Sequence, residues 1–291
     1  MPAGIKQFSM TWNAVTLYPP PFQANSPMAM AIAMQGMRAM SMNADQYLVS
    51  LIRRETVNTG LDSPVRGVIA VLRPTLLTWG NKYLAGITPS GSFAKGTAIY
   101  SGTDIDLFLS LRADTPDNLR DIYQKLFNAV EHYHPKKQNV SINVKVGTYD
   151  VDLVPAQRQD NVSSNHSLYR SKKDSWTKTN VQMHIATVRA ANRLLETRIL
   201  KLWRNQTGID FPSFYLELTV IEALRNSKLT TLSDRVRRVL EYLRDSFVNA
   251  RVVDPANTNN IISDDLSFVD RTVVEAAAAR ALQGNWSDFV A

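Results

Sequence analysis

The feature that most limits how this chain can fold is a pair of aspartates inside an apolar run. Asp104 and Asp106 are separated by one residue, and Ile105, Leu107 and Leu109 alternate with them. Because successive strand side chains point to opposite faces, this alternation predicts a strand with both carboxylates on one face. Two like charges on one strand face repel each other unless a cation lies between them. Mg²⁺ is a hard ion that carboxylates bind, so the pattern predicts a cation site.

A turn of small residues precedes this strand. Gly91 and Ser92 lie about a dozen positions before the aspartates. Small residues let backbone N–H groups approach an anion closely, so we expect Gly91 and Ser92 to hold phosphate groups. An isolated pair of aspartates is also compatible with a solvated strand face. The turn upstream and a further carboxylate downstream favour a metal–phosphate site instead.

The further carboxylate comes from a second apolar alternation, Tyr149 to Pro155. This pattern predicts a strand that carries Asp150 and Asp152 on one face. We select Asp152 as the third ligand, with Asp150 as the alternative.

Composition limits the class of protein. The chain has 291 residues, of which 44% are hydrophobic and 20% charged, as expected for a globular protein with a sizeable core. It contains no cysteine, which excludes disulfides and cysteine-bound zinc and fits a cytoplasmic location. The formal charge of +7 favours polyanionic partners such as nucleotides or RNA. No apolar run has the length of a membrane-spanning helix, so we expect no membrane partner.

The first part of the chain differs from the rest. Eight of the nine methionines fall between Met1 and Met42, and Pro19-Pro20-Pro21 interrupts any regular element. We interpret residues 1–42 as a loosely attached N-terminal extension. A protein that begins near Met42 is expected to keep full activity.

The remaining periodicity predicts an α+β fold in two domains, 43–156 and 157–291. The second is expected to be helical after a polar loop over 157–179. The predicted strands are one through Asp104 and two more at 140–146 and 148–154. The predicted helices cover 43–58, 63–85, 116–132, 181–206, 212–227, 232–250 and 267–282.

These motifs, taken together, resemble the polymerase-β-type nucleotidyltransferase superfamily. Within it, the chain is most similar to the bacterial cGAS/DncV-like nucleotidyltransferases, which make cyclic oligonucleotides in antiphage signalling. The resemblance implies a core of a mixed sheet with flanking helices, followed by a C-terminal helical domain. It rests on Gly91-Ser92, Thr97-Ala98, Asp104-Ile105-Asp106-Leu107, Val151-Asp152-Leu153-Val154-Pro155-Ala156, Ile199-Leu200-Lys201-Leu202-Trp203, Ser213-Phe214-Tyr215-Leu216-Glu217, Asp254-Pro255 and Asn259-Asn260.

The resemblance also implies site roles. Two Mg²⁺ ions, with Mn²⁺ as the alternative, are expected on Asp104, Asp106 and Asp152, which are both metal ligands and catalytic residues. Lys201 and Ser213 map to residues that contact the triphosphate in relatives. The structural alternatives are that Lys201 is a solvated surface lysine and that Ser213 only begins a helix.

Aromatic residues on the same helical segment have two interpretations. Phe214 or Tyr215 is expected either to stack on a base or to belong to the core. Glu217 is interpreted as structural.

The activity expected is the joining of NTPs into a cyclic di- or trinucleotide with release of pyrophosphate, and a downstream effector would respond to the product. A second hypothesis is a CCA-adding or poly(A)-like RNA nucleotidyltransferase, which shares the three carboxylates and a helical tail. The basic stretch from Arg170 to Lys178 is either a solvated face or a contact with RNA. A silent binding module is the third hypothesis, and the three carboxylates argue against it.

Overall fold

The computed structural model describes residues 43–291 except 59, 61 and 103. The extension predicted over 1–42 lies outside the described residues. No described helix is long and apolar enough to cross a membrane. The described α-helices are α1 (Ala44–Arg54), α2 (Pro64–Gly80), α3 (Gly91–Lys95), α4 (Leu119–Ala129), α5 (Val181–Ala190), α6 (Leu194–Thr207), α7 (Ser213–Ala223), α8 (Leu232–Asp245), α9 (Phe268–Ala281) and α10 (Trp286–Phe289).

The strands of the main sheet are in the order β1-β2-β5-β4-β3, and β6 pairs with both β5 and β7. Only the β2–β5 pair is parallel among the pairings described in this sheet, so the sheet is mixed. A separate two-stranded sheet, β8–β9, lies within the C-terminal region. The described strands are β1 (Leu84–Pro89), β2 (Ile105–Leu111), β3 (Lys136–Lys137), β4 (Ile142–Val146), β5 (Tyr149–Arg158), β6 (His166–Arg170), β7 (Ser175–Thr179), β8 (Val253–Asp254) and β9 (Asn257–Ile261).

The apolar face of the sheet packs against α2 and α4. The alternating residues Ile105, Leu107 and Leu109 are buried there, together with Leu72 of α2 and Leu126 of α4. Because these side chains occupy one face of β2, the aspartates that alternate with them are directed to the other face. Burial of the apolar face therefore sets the orientation of the predicted carboxylates.

The helices of the C-terminal region bury a second core with α1, centred on residues such as Trp203, Tyr215 and Phe247. Asn43 caps α1: its Oδ1 accepts a hydrogen bond from the Gln46 N–H at 2.8 Å. Asp45, in the first turn of α1, accepts hydrogen bonds from N–H groups at the start of α8. Through this contact α1 is fixed to the helical region.

Three local expectations were wrong. The stretch 157–179, predicted as a polar loop, contains the end of β5 and the β6–β7 hairpin. The helix predicted over 63–85 ends at Gly80, and Leu84 already begins strand β1, which pairs with β2. The helix predicted over 181–206 is divided into α5 and α6, where Asn192 adopts a left-handed backbone (φ 51°).

Candidate active site

The Gly-Ser turn lies directly against the aspartates of β2. The Ser90 N–H donates to the backbone carbonyl of Asp106 at 2.8 Å, which fixes the turn to the strand. Gly91 has a left-handed backbone (φ 52°), and a Cβ built on it would overlap the carboxyl group of Asp106. Only glycine meets both conditions without strain. The backbone of Gly91 therefore lies against the carboxyl group of Asp106, and Ser92 is the next residue along the chain.

The parallel pairing of β2 and β5 brings the predicted carboxylates together. Asp106 and Asp152 are register partners, and Asp104 lies two positions before Asp106, immediately before β2 begins. Burial raises the pKa of Asp106 to about 6, and the neighbouring charge of Asp152 adds to the increase. Burial also raises the pKa of Asp104, again with a contribution from Asp152. The three carboxylates therefore interact electrostatically, as the sequence pattern predicted.

Asp152 is held by neighbouring polar side chains. Its Oδ1 accepts hydrogen bonds from Asn143 Nδ2 at 2.9 Å and from Gln138 Nε2 at 3.2 Å. Burial raises its pKa, while the hydrogen bond from Asn143 opposes that increase. Asp150, the alternative ligand, pairs with Lys145 at 3.1 Å. Within the part of the chain that the structure describes, Asp152 forms no ion pair, which leaves its charge available to a bound cation.

These residues fit a divalent cation. Burial raises the pKa of all three side chains, so a cation beside them would favour their ionised forms. Carboxylate oxygens are the donors that Mg²⁺ and Mn²⁺ prefer. Within the described residues, no three acidic or histidine side chains already converge at metal-ligand distances. Asp104, Asp106 and Asp152 would hold such ions after side-chain adjustment.

A buried ionic cluster lies behind the turn. Glu217 Oε2 pairs with Lys95 Nζ at 2.8 Å, and its Oε1 pairs with Lys201 Nζ at 2.9 Å. The hydroxyl of Thr97 donates to Glu217 Oε1 at 2.5 Å. Lys201 is only 2% exposed, so the interpretation as a solvated lysine was wrong. We define Lys95, Thr97, Lys201 and Glu217 as the lysine cluster.

The charges of the lysine cluster reach the carboxylates. Burial alone would raise the pKa of Glu217, but the charges of Lys95 and Lys201 outweigh it and leave that pKa below its ordinary value. Burial lowers the pKa of Lys201, which the charge of Glu217 opposes. Both lysines also act to lower the pKa of Asp106. The cluster carries two cations for one anion, and its excess positive charge lies next to the carboxylates.

Ser213 and Phe214 are the first two residues of α7, and Phe214 contacts the lysine cluster. Ser213 Oγ accepts a hydrogen bond from Arg204 Nη1 at 2.9 Å. The Phe214 ring contacts Lys95 Nζ, 4.3 Å from the ring centroid, and the ring of His184, with centroids 4.4 Å apart. The structure thus connects Phe214 to the lysine cluster through Lys95, and Ser213 to Arg204.

Tyr215, the alternative to Phe214 for base stacking, is excluded from that role. It is fully buried, and its ring packs against Phe211 and Phe247. Its burial agrees with the interpretation as a core residue, since a ring that stacks on a base must have one face accessible.

Sequence reasoning assigned no role to Lys95, Thr97 or Arg204. Lys95 and Thr97 lie in the same short segment as Gly91 and Ser92, so their proximity to the turn was a usable signal. Their pairing with Glu217 joins positions more than a hundred residues apart, and no local pattern indicates it.

Comparison with solved structures shows that the chain shares its fold with bacterial CdnC, CdnG and CdnE proteins. CdnC of Escherichia coli MS115-1, solved with ATP, superimposes with a TM-score of 0.67 at 21% identity, covering 82% of this chain and 90% of that one. CdnG of Bradyrhizobium diazoefficiens, a CD-NTase solved with GTP, gives a TM-score of 0.67 at 16% identity over 81% and 89%. The CdnE cyclic dinucleotide synthase of Elizabethkingia meningoseptica gives 0.65 at 16% identity over 84% and 100%.

Sequence comparison finds a relative among characterised proteins. A cyclic AMP-AMP-AMP synthase of Escherichia coli (strain MS 115-1) is 24% identical over 213 residues. This alignment covers 64% of the chain and 66% of the length of that relative. No protein-family model matches the chain. The predicted resemblance to the bacterial cGAS/DncV-like nucleotidyltransferases is therefore confirmed at the level of the fold.

Proposed function

We propose that this protein is a divalent-cation-dependent nucleotidyltransferase that joins NTPs into a cyclic oligonucleotide and releases pyrophosphate. The observation that carries the proposal is the contact between the backbone of Gly91 and the carboxyl group of Asp106, which is itself paired with Asp152. A nucleotidyltransferase needs backbone N–H groups that bind phosphate next to carboxylates that bind metal ions. Here Gly91 begins the backbone segment, and Asp106 and Asp152 provide the carboxylates.

Phosphate binding is assigned to the turn and the lysine cluster. Ser92 and the N–H groups that follow Gly91 would bind the terminal phosphates. Lys201 and Lys95 place positive charge behind the turn, where it attracts the triphosphate. Ser213, held by Arg204, would contact the same group, and Phe214 would present its ring to the base.

The transfer step follows from the carboxylates. The oxygen of a ribose hydroxyl attacks the α-phosphorus of an NTP, the bond between the α- and β-phosphates breaks, and pyrophosphate leaves. Asp152, whose pKa is raised by burial, would accept the hydroxyl proton. Bound Mg²⁺ or Mn²⁺, in a pair held by Asp104, Asp106 and Asp152, would neutralise the charge that develops on the attacking and leaving oxygens.

The wider role proposed is the one that the resemblance implies. The product would act in the cytoplasm as an antiphage signal for a downstream effector. Purified product added to candidate effectors would test this role separately from the chemistry.

The proposal is tested by incubating the protein with the four NTPs and Mg²⁺ or Mn²⁺, and analysing the products by mass spectrometry after phosphatase treatment. The wild type should give a phosphatase-resistant cyclic product without added RNA. Asp106→Asn should reduce the yield by about a hundredfold or more, because one metal ligand is lost.

Asp114→Asn is the matched control, since Asp114 is an exposed aspartate just after β2 that pairs with Arg112. It should leave the yield unchanged. Product that forms only when RNA is added would favour the CCA-adding or poly(A)-like hypothesis. Equal yields from Asp106→Asn and wild type would refute the site.

A further inference from the structure

The backbone just before Asp104 is held by a residue from outside the sheet. A short 3₁₀ turn, Tyr100–Gly102, ends two positions before Asp104. The N–H of Tyr100 donates to the backbone carbonyl of Glu55 at 3.1 Å, and the N–H of Ser101 donates to Glu55 Oε2 at 2.8 Å. Asp104 precedes the paired part of β2, so its placement depends on this turn as well as on the strand.

A second residue, Asn205 of α6, lies against the same turn. A Cβ added to Gly102 would come within 2.6 Å of Asn205 Nδ2, which is closer than side-chain contacts allow. Glycine at position 102 is therefore explained by the close approach of α6. Any side chain there would displace either the turn or the amide.

The neighbouring Arg204 fixes the orientation of that amide. Asn205 Oδ1 accepts hydrogen bonds from Arg204 Nε at 3.1 Å and from Arg204 Nη2 at 2.9 Å. Because Oδ1 is held by the guanidinium, Nδ2 is directed to the other side of the amide, toward Gly102. Arg204 Nη1 donates to Ser213 Oγ and to the backbone carbonyl of Phe211, both at 2.9 Å. One planar group therefore connects the start of α7 with the turn before Asp104.

The charge of Arg204 is not explained by an ion pair. The side chain is partly buried, and within the described part of the chain it forms no ion pair with a carboxylate. Burial lowers its pKa, and the charges of Glu217 and Asp210 oppose that decrease. Desolvation of a cation that has only neutral acceptors costs free energy. The rigid fork of a guanidinium explains its presence, since it holds several acceptors in a fixed geometry.

We propose that Arg204 and Asn205 are positioning residues that place Ser213 and Asp104 relative to each other. This inference rests on the binding roles in the proposed function, which assigns Ser213 to the triphosphate and Asp104 to the divalent cation. A phosphate bound at Ser213 would restrain the guanidinium, and through Asn205 it would restrain the turn that precedes Asp104.

The first test is Asn205→Ala, which removes the contact with the turn and leaves Arg204 beside Ser213. Mn²⁺ affinity without nucleotide, measured by electron paramagnetic resonance, should fall by about tenfold. The affinity for a non-hydrolysable NTP in EDTA, measured by calorimetry, should not change. In turnover, kcat should fall by about tenfold while KM is unchanged. Asn128→Ala is the control, because Asn128 is an exposed asparagine on α4 that accepts a hydrogen bond from Gln124.

Arg204→Lys should show a different pattern. Lysine keeps the positive charge but lacks the planar fork, so both Ser213 and Asn205 lose a fixed partner. The affinities for Mn²⁺ and for the non-hydrolysable NTP should each fall by about tenfold. Arg244→Lys is the control, because Arg244 pairs at the surface with the adjacent Asp245. It should retain both affinities.

A pair of substitutions tests the contact itself. Gly102→Ala alone should weaken Mn²⁺ binding by about tenfold, because the added Cβ meets the Asn205 amide. In the Asn205→Ala background that amide is absent, so Gly102→Ala should cause no further loss. A general loss of stability would not produce this dependence, and additive losses would contradict the contact.

Equal Mn²⁺ affinity in wild type, Asn205→Ala and Gly102→Ala would overturn this inference and leave the proposed function intact. Equal losses of Mn²⁺ and NTP affinity in Asn205→Ala would also overturn it, because they would indicate a general structural role. If Arg204→Lys does not fold, the variants at the exposed positions 102 and 205 decide. A wild type that shows the expected binding pattern but forms no cyclic product would retain this inference and overturn the proposed function.

Discussion

The two ends of one sheet face carry polar side chains that are paired in opposite ways. At one end Asp106 lies opposite Asp152, another carboxylate. At the other end, on the same face of the same strand, Ser110 lies 2.8 Å from His166 Nε2. The Nδ1 of His166 lies 2.9 Å from the Ser164 carbonyl, which accepts only, so Nδ1 donates and Nε2 accepts from the Ser110 hydroxyl.

The difference indicates which end of the sheet face needs a ligand to complete its interactions. Burial lowers the pKa of His166, which favours the neutral ring. Each ring nitrogen has a hydrogen-bond partner, so the interactions of Ser110 and His166 are complete. Burial raises the pKa of Asp106 to about 6, and the charge of the facing Asp152 carboxylate adds to the increase, although Lys95 opposes it. A complete set stabilises the fold by itself, whereas an incomplete one is completed by a ligand. We therefore propose that the carboxylate end is the functional one.

The largest effect on activity should come from a side chain that displaces the carboxyl group of Asp106. Gly91→Ala places a Cβ on the carboxyl group of Asp106 and strains a left-handed backbone. The displacement should lower nucleotidyl transfer by about a hundredfold or more, measured as the rate of pyrophosphate release.

Gly86→Ala is the control, because the Cβ it adds meets open space on the strand that leads to the turn. It should retain the wild-type rate. Full activity in Gly91→Ala would mean that the contact between the turn and Asp106 is not needed.

The next effect concerns the positive charge behind the carboxylates. Glu217→Ala leaves Lys95 and Lys201 buried without their anion, which should reduce the free energy of unfolding by about 3–5 kcal/mol, measured by urea titration. Glu222→Ala is the control on the same helix, because Glu222 pairs with Arg225 at the surface. It should cause no measurable loss, and a loss as large as that of Glu217→Ala would contradict the assignment.

The smallest effect is a difference between wild type and Asp106→Asn in how the free energy of unfolding depends on pH. It is measured by urea unfolding in EDTA. Folded Asp106 keeps its proton up to about pH 6, above the unfolded value of 3.8. Between these values the folded state binds more protons, so the stability of the cation-free protein falls as pH rises. Asp106→Asn should therefore gain stability relative to wild type as pH rises through this window.

His166 should show the opposite sign. Its folded pKa lies below the unfolded value of 6.5, so as pH falls below 6.5 the unfolded state takes up the proton first and stability is lost. His166→Gln should gain stability relative to wild type as pH falls through that range. Equal slopes for the two variants would remove the contrast between the two ends.

The carboxylate end was predictable from sequence because its signals are local. Alternation alone placed Asp104 and Asp106 on one face, and the same pattern identified Asp152. The small residues of the turn placed Gly91 beside them. Each of these inferences needs only the period of a strand and the backbone freedom of glycine.

The rest depends on tertiary contacts. The pairing of Lys95 with Glu217 spans 122 positions, and the burial of Lys201 follows from helices that meet only in the fold. The β6–β7 hairpin was missed because its short strands carry many polar residues.

The most direct test of the carboxylate site is Mn²⁺ binding measured by electron paramagnetic resonance in the presence of a non-hydrolysable NTP. The wild type should bind Mn²⁺, Asp106→Asn should weaken that binding by about tenfold or more, and Asp114→Asn should not change it. Equal Mn²⁺ affinity in wild type and Asp106→Asn would contradict the account.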